Sequence, residues 1–331
     1  MDQRALGRSG LTVEALGFGC WPIGGLIIED GRSVGWGAVD DGESIRALHR
    51  AVDLGVTFFD TADVYGRSEE ILGCAFADRR ESVVLGTKFG KTYDRGRNEI
   101  TGVDLSVAHM RNALEGSLRR LRTDMVDLYQ LHVGECSPEE ALELREGLEQ
   151  LVAEGKIRAY GWSTNAVEMA QLFAAGPHCV AVQHHQNVLF SNAKLTRFCE
   201  QHGLASICRG PLGMGLLTGK YDAESHLPQD DVRGAGHDWM HGESEFPGGQ
   251  PNRAWLKALD ALREILTSDG RTLAQGALAW LWGFSDVTIP IPGFKSLRQA
   301  EENARALEFG ALSPAQMAEI DALLAHEAAL G

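Results

Sequence analysis

The sequence predicts an α/β fold, a (β/α)8 TIM barrel with an N-terminal β-hairpin and two additional C-terminal helices. Three observations predict it. Eight short apolar runs recur along 331 residues, helical stretches separate them, and no long linker splits the chain into halves. A single barrel domain over residues 1–331 is the resulting expectation.

The elements follow in order. Residues 4–13 read as two short strands around the turn RSG, a small hairpin. The apolar runs are LGFGC (16–20), VTFFD (56–60), SVVLGTK (82–88), MVDLYQLH (125–132), IRAYGWS (157–163), CVAVQ (179–183), LASIC (204–208) and VTIPI (287–291). Runs this apolar suit parallel strands buried on both faces. Segment 41–55 places Ile45, Leu48 and Val52 on one helical face and ends at Gly55, a residue suited to a left-handed cap. Segments 105–122 and 137–156 are helical by the same pattern, the second with Ser137 as N-cap and Pro138 at the first helical position. SLRQAEENARAL and SPAQMAEIDALLAHEAA supply the two extra helices. An open doubly wound sheet is the competing architecture, but no GxGxxG follows the first run. The stretches 24–40 and 223–252 are rich in Gly and Asp, lack periodicity, and read as long loops over one barrel end.

Composition bounds the function. The chain holds 46 acidic and 31 basic residues, a formal net charge of −15, with no Lys/Arg cluster. Binding to a nucleic-acid backbone or an anionic membrane surface is excluded on that ground. No run approaches the ~20 apolar residues that span a bilayer, and the N-terminal residues do not read as a signal peptide. Six Cys without a CxxC, most of them in or beside apolar runs, fit a reducing compartment, so a soluble cytoplasmic protein is expected. His184 and His185 are adjacent and would face opposite ways on a strand, so no metal is expected.

Chemistry in such a barrel belongs at the C-terminal ends of the strands. The second run ends in Asp60, with Tyr65 on the loop beyond it; the third ends in Lys88, the fourth in His132 and the fifth in Ser163. Each has a plainer reading. Asp60 could cap its loop, Lys88 could face water, Tyr65 could pack on the next helix, and His132 could be a satisfied core histidine. All four at one mouth suggest more. A phenol of pKa about 10 is a poor proton donor and acceptor near neutrality. A nearby ammonium would lower it, an aspartate would hold that ammonium, and a neutral histidine could donate to a carbonyl oxygen gaining charge. The combination suits hydride addition to a carbonyl, with Tyr65 giving the proton.

The segments GVTFFDTADVYG and SEEILG, the TK ending at Lys88, the YQLH ending at His132, GWSTN, the stretch from Gln183 to Asn187, PLGMGLLTGKY and IPGFKSLRQAEEN together resemble the aldo-keto reductase family. They run in the family's order from near residue 5 to near residue 308. The resemblance implies a (β/α)8 barrel and reversible NAD(P)H-dependent reduction of aldehydes or ketones. It implies Asp60, Tyr65, Lys88 and His132 as the catalytic tetrad. Ser163, Asn165 and Gln183 match positions that hold the nicotinamide carboxamide, although Thr164 intervenes where the family commonly has GxSN. Arg209 stands where many members carry a tyrosine stacked on the nicotinamide. A guanidinium can stack there too, but it adds positive charge beside a ring that becomes cationic on oxidation. Gly210, Pro211, Leu212, Gly213, Gly215, Leu216 and Lys220 match the pyrophosphate loop. Gly293, Lys295, Ser296, Gln299, Glu302 and Asn303 match the adenosine-phosphate segment. Lys295 and Ser296 at a helix start, with Arg298 nearby, favour NADP(H) over NAD(H).

The substrate is expected to be a small carbonyl or alcohol, walled by Trp21, Pro22, Ile23, Trp36, Val133 and Trp239. Two other functions remain open at this point. One is a Schiff-base isomerase or lyase using Lys88. The other is a regulatory protein that binds the cofactor without turnover.

Overall fold

The computed structural model describes residues 3–237 and 245–330, with side chains described as far as residue 326. Strands β1 (Gln3–Ala5) and β2 (Thr12–Glu14) form the antiparallel N-terminal hairpin. After β3 (Gly17–Gly19) a short ribbon, β4 (Ile28–Glu29) and β5 (Arg32–Ser33), precedes α1 (Asp41–Asp53). Next come β6 (Phe58–Asp60), α2 (Ser68–Ala75) and β7 (Val84–Phe89). A second hairpin, β8 (Lys91–Asp94) and β9 (Glu99–Val103), leads into α3 (Val107–Leu121). The alternation continues through β10 (Val126–Leu131), α4 (Pro138–Ala153), β11 (Ile157–Ser163), α5 (Val167–Ala174), β12 (Cys179–His185) and α6 (Ala193–His202). It ends with β13 (Ala205–Arg209), α7 (Arg253–Leu266), α8 (Leu273–Phe284), β14 (Thr288–Pro290), α9 (Leu297–Ala304) and α10 (Pro314–Leu330).

Eight of these strands form one parallel sheet in the order β14-β13-β12-β11-β10-β7-β6-β3. A parallel bridge from Gly19 to Gly293 and the bond from Gly19 N to Pro292 O (3.0 Å) bring its two edges together. All eight expected runs are strands of this barrel. Helix ends follow local chemistry. Ser137 and Glu140 form a reciprocal capping box on α4, and Gly55 takes φ 95° just beyond α1.

The barrel interior is filled by side chains such as Phe58, Leu128, Val180 and Ile207, joined by Leu6 and Val13 of the hairpin. Arg8 lies at this end, its guanidinium donating to the carbonyls of Cys179 (2.8 Å), Ala174 (2.7 Å) and Gly176 (2.6 Å). The hairpin therefore seals the N-terminal mouth.

The opposite end differs from the sequence expectation. Residues 24–40 are not a plain loop, because β4 and β5 join β8 and β9 in a separate four-stranded sheet, β5-β4-β9-β8. These strands are two to five residues long and lack regular apolar alternation, so no period marks them. Above the barrel this sheet holds an apolar cluster of Ile27, Val34, Ala62, Val64, Ile100 and Val232. The segment after β13 reaches across to it through Val232 N to Gly35 O (2.8 Å). Trp239 lies outside the described residues.

Candidate active site

The floor of the site is built from strand ends. Asp60 closes β6, and Lys88 lies on β7 opposite Gln130 of β10. Lys88 is fully buried, and its ammonium donates to Asp60 Oδ2 (2.5 Å) and to the carbonyl of Thr61 (2.7 Å). The other Asp60 oxygen accepts from Gln130 Nε2 (2.8 Å) and Gln183 Nε2 (2.9 Å). A buried ion pair holds only when its remaining valences are met, and here side-chain amides meet them. The sequence reading missed Gln130; its signal is an uncharged amide inside the otherwise apolar stretch VDLYQL. Gln183 was expected at the cofactor, but its amide nitrogen is turned to Asp60.

Tyr65 and His132 stand above this floor. The phenol oxygen lies 3.3 Å from His132 Nε2, the two rings cross at 83°, and the Lys88 ammonium sits 4.8 Å from the Tyr65 ring centroid. Trp21 stacks on Tyr65, with centroids 5.9 Å apart. The backbone packs as closely as the rings. Gly66 takes φ 52°, and a Cβ there would lie 2.2 Å from Gly24 O, so only glycine fits after Tyr65.

The electrostatics correct one expectation. Burial raises the Tyr65 pKa, and although Lys88 pulls it down, the net shift is upward. The phenol is therefore held protonated at neutral pH instead of being lowered towards it. Burial alone would lower the Lys88 ammonium, but Asp60 and Tyr65 outweigh it and raise its pKa. His132 goes well below its ordinary value through burial and the charges of Lys88, Lys91 and Arg209, so its ring is neutral. The other ring nitrogen, Nδ1, is buried without a hydrogen-bond partner among the described residues.

A cavity of about 1100 Å³ opens over these groups. Trp21, Trp36, Tyr65 and His132 line it, as do all the expected cofactor residues except Gly213, Leu216 and Ser296. Gly213 lies in a buried turn at φ 53°, and Ser296 caps α9, its hydroxyl accepting from Gln299 N (3.3 Å). Val133 is off the cavity wall: its side chain packs on the core, and its carbonyl accepts from Trp162 Nε1 (2.7 Å). Gly134 and Glu135 take its place on the wall. Lys295 Nζ donates to the carbonyl of Trp36 (2.5 Å), and Arg298 lies 3.6 Å from Glu302 with an exposed side chain.

The polar groups at the centre fit a dinucleotide. Thr164 engages its hydroxyl with Ala166 N (3.1 Å), whereas no hydrogen bond among the described residues engages that of Ser163. Asn165 Oδ1 accepts from His185 N (2.9 Å) and Arg209 Nη2 (3.3 Å), which leaves its amide group as a donor. Gln183 in turn keeps its carbonyl oxygen as an acceptor. A carboxamide needs one of each. Lys220, Lys295 and Arg298 line the same cavity and suit phosphate charge. Among the described residues no group of three His, Cys, Asp or Glu could hold a metal ion. No described helix is long and apolar enough to cross a membrane.

Comparison with known proteins agrees with this geometry. The model of the aldo/keto reductase family matches residues 15–325. The NADP(+) aldo-keto reductase yakc of Schizosaccharomyces pombe is 31% identical, over 93% of this chain and 88% of its own. The structure of the glycerol dehydrogenase AKR11B4 from Gluconobacter oxydans superposes with a TM-score of 0.82 at 28% identity, covering 98% of this chain and 96% of that one. An aldo-keto reductase from Klebsiella pneumoniae in complex with NADPH gives 0.70 at 28% identity, with the same coverage. The buried Lys88–Asp60 pair, the phenol and imidazole above it, the barrel that positions them and the match along the chain lead to one conclusion: this protein belongs to the aldo/keto reductase family and carries its general activity, oxidoreduction of carbonyl and alcohol substrates with a nicotinamide cofactor.

Proposed function

We propose that the chain reduces an aldehyde or ketone to an alcohol by direct hydride transfer from NADPH, reversibly, with Tyr65 as proton donor. One observation carries the reading: Tyr65 Oη and His132 Nε2, 3.3 Å apart, face a large cavity directly above the sealed Lys88–Asp60 pair. When bound, the dinucleotide supplies the hydride. The residues supply everything else. His132, neutral, donates a hydrogen bond to the carbonyl oxygen as that oxygen gains charge. Tyr65, protonated, passes its proton to the same oxygen, and the Lys88 charge stabilises the phenolate left behind. Asp60 keeps Lys88 charged and in place.

NADP(H) is proposed over NAD(H) because Lys220, Lys295 and Arg298 line the cavity and because relatives are named for, or complexed with, the phosphorylated cofactor. The Schiff-base alternative needs a neutral lysine facing substrate. Lys88 is fully buried, ion-paired and raised in pKa, which opposes it. The test follows consumption of NADPH, and NADH in parallel, with a panel of activated aldehydes and diketones. Turnover in the wild type that collapses in Tyr65→Phe supports the reading; equal turnover in both overturns it.

A further inference from the structure

The loop that carries Tyr65 is anchored at both ends. Thr61 N donates to Gly86 O (2.8 Å), Thr61 Oγ1 to Ser68 Oγ (2.8 Å), and Arg67 N to Gly24 O (3.0 Å). Between these anchors the carbonyls of Asp63 and Gly66 flank Tyr65 along the chain. One guanidinium takes both. Arg95 Nη2 donates to Asp63 O at 2.8 Å and Nη1 to Gly66 O at 3.3 Å. Among the described residues no other hydrogen bond reaches either carbonyl.

Arg95 does not belong to the barrel. It sits in the turn between β8 and β9, where Asp94 Oδ1 accepts from Gly96 N (2.9 Å) and Arg97 N (3.2 Å) and so fixes the turn. The ring of Tyr93 lies 5.4 Å from its guanidinium carbon, and Glu70 Oε1 is 3.5 Å from Nη1. Glu69, which stands 3.9 Å from Nη2, is itself held by Thr87 Oγ1 (2.6 Å) and Arg120 Nε (2.6 Å). The guanidinium is thus oriented from the hairpin and from α2 together. A planar fork can serve two separated carbonyls at once, whereas a lysine ammonium offers a single point of attachment.

We propose that Arg95 is a positioning residue for the reaction: it holds the two carbonyls beside Tyr65 and so fixes the phenol against His132. This rests on the reading of Tyr65 as proton donor. A displacement of about 1 Å at a reacting group can cost roughly a hundredfold in rate, so a holder without contact to substrate still governs turnover.

The test compares wild type, Arg95→Ala and Arg95→Lys by steady-state kinetics, NADPH titration and amide hydrogen exchange. In Arg95→Ala, kcat is expected to fall about 10- to 100-fold while the NADPH dissociation constant stays within about twofold. Exchange is expected to quicken at residues 64–68 and to stay unchanged in the barrel strands. Arg95→Lys should recover part of the rate. A kcat for Arg95→Ala within about threefold of wild type overturns the proposal. So does a loss of rate accompanied by faster exchange throughout the chain and weaker NADPH binding, which marks general destabilisation. If Arg95→Ala does not fold, Arg95→Lys decides: reduced kcat with local exchange supports the proposal, and wild-type behaviour overturns it. The exchange readout needs no turnover, and Tyr65→Phe in the same assay judges the reaction independently, so the two readings fail separately.

Discussion

The two ends of the barrel hold charge in opposite ways. At the sealed end Arg8, an exposed residue, donates to three backbone carbonyls. At the open end Lys88 is fully buried, and its charge reaches Tyr65 and His132 on the floor of a cavity. The ends also differ in what they leave unsatisfied. Among the described residues, Asp63 Oδ1, His132 Nδ1 and Trp36 Nε1 are buried without a partner at the open end, against Glu14 Oε2 in the hairpin. Buried polar groups without partners destabilise a fold, and they gather where function needs them. One end of this molecule is arranged for stability and the other tolerates strain.

The strongest way to break that contrast is Tyr65→Phe. It removes one oxygen at the open end, and kcat is expected to fall about 10²- to 10⁴-fold with little change in melting temperature. A large loss of stability instead would show that the phenol serves the fold. Arg8→Ala tests the other end. It takes a donor from three carbonyls, of which Gly176 O keeps the bond from Cys179 N (3.3 Å), so stability should drop by about 2–4 kcal/mol, read by denaturant unfolding, with kcat unchanged.

Asp63 sharpens the comparison further. Burial and the neighbouring Glu69 push its pKa up to about 8, against the pull of Arg120 and Arg95. Between the ordinary carboxylate range and pH 8 the folded state keeps a proton that the unfolded state has lost, so this group lowers stability as pH rises. Asp63→Asn removes that penalty. The variant should gain roughly 2–4 kcal/mol more over wild type at pH 8 than at pH 5, measured by unfolding at both. A gain independent of pH would mean that Asp63 is not the titrating group. The smallest expected effect is at Arg209, whose guanidinium lines the cavity beside Asn165. Arg209→Tyr should strengthen NADP(+) binding relative to NADPH by a few-fold, about 1 kcal/mol, in paired titrations. An unchanged ratio removes Arg209 from any tuning of the cofactor.

The sealed end and the barrel floor were largely legible from the sequence, for a physical reason. Strands buried on both faces need apolar side chains throughout, so 125–132 or 179–183 stand out from any polar surroundings. A polar, titratable residue closing such a run, as Asp60, Lys88 and His132 do, is conspicuous as well. The roof was not legible. β4, β5, β8 and β9 are stabilised by pairing with one another, and EITGV carries no period that announces its partner, Ile28–Glu29, far back along the chain. Val133 shows a further limit, since proximity to His132 in sequence does not decide which way a side chain points. Gln130 and Arg95 were missed because their roles lie in the geometry of acceptors that only the folded chain brings together.

The four-stranded sheet has a bearing on how such a protein changes. Its strands come from two insertions, after β3 and after β7, that pair with each other and not with any barrel strand. One insertion brings Ile27 and Val34 to the cavity side; the other brings Ile100 and the guanidinium beside Tyr65. They form a cassette with two points of attachment. Recombination that exchanges both insertions together transplants a new cavity wall with its own mated hairpin onto an unaltered floor, while exchange of one alone leaves mismatched edges. Descent and chimera construction alike should treat 24–40 and 91–103 as a unit of inheritance.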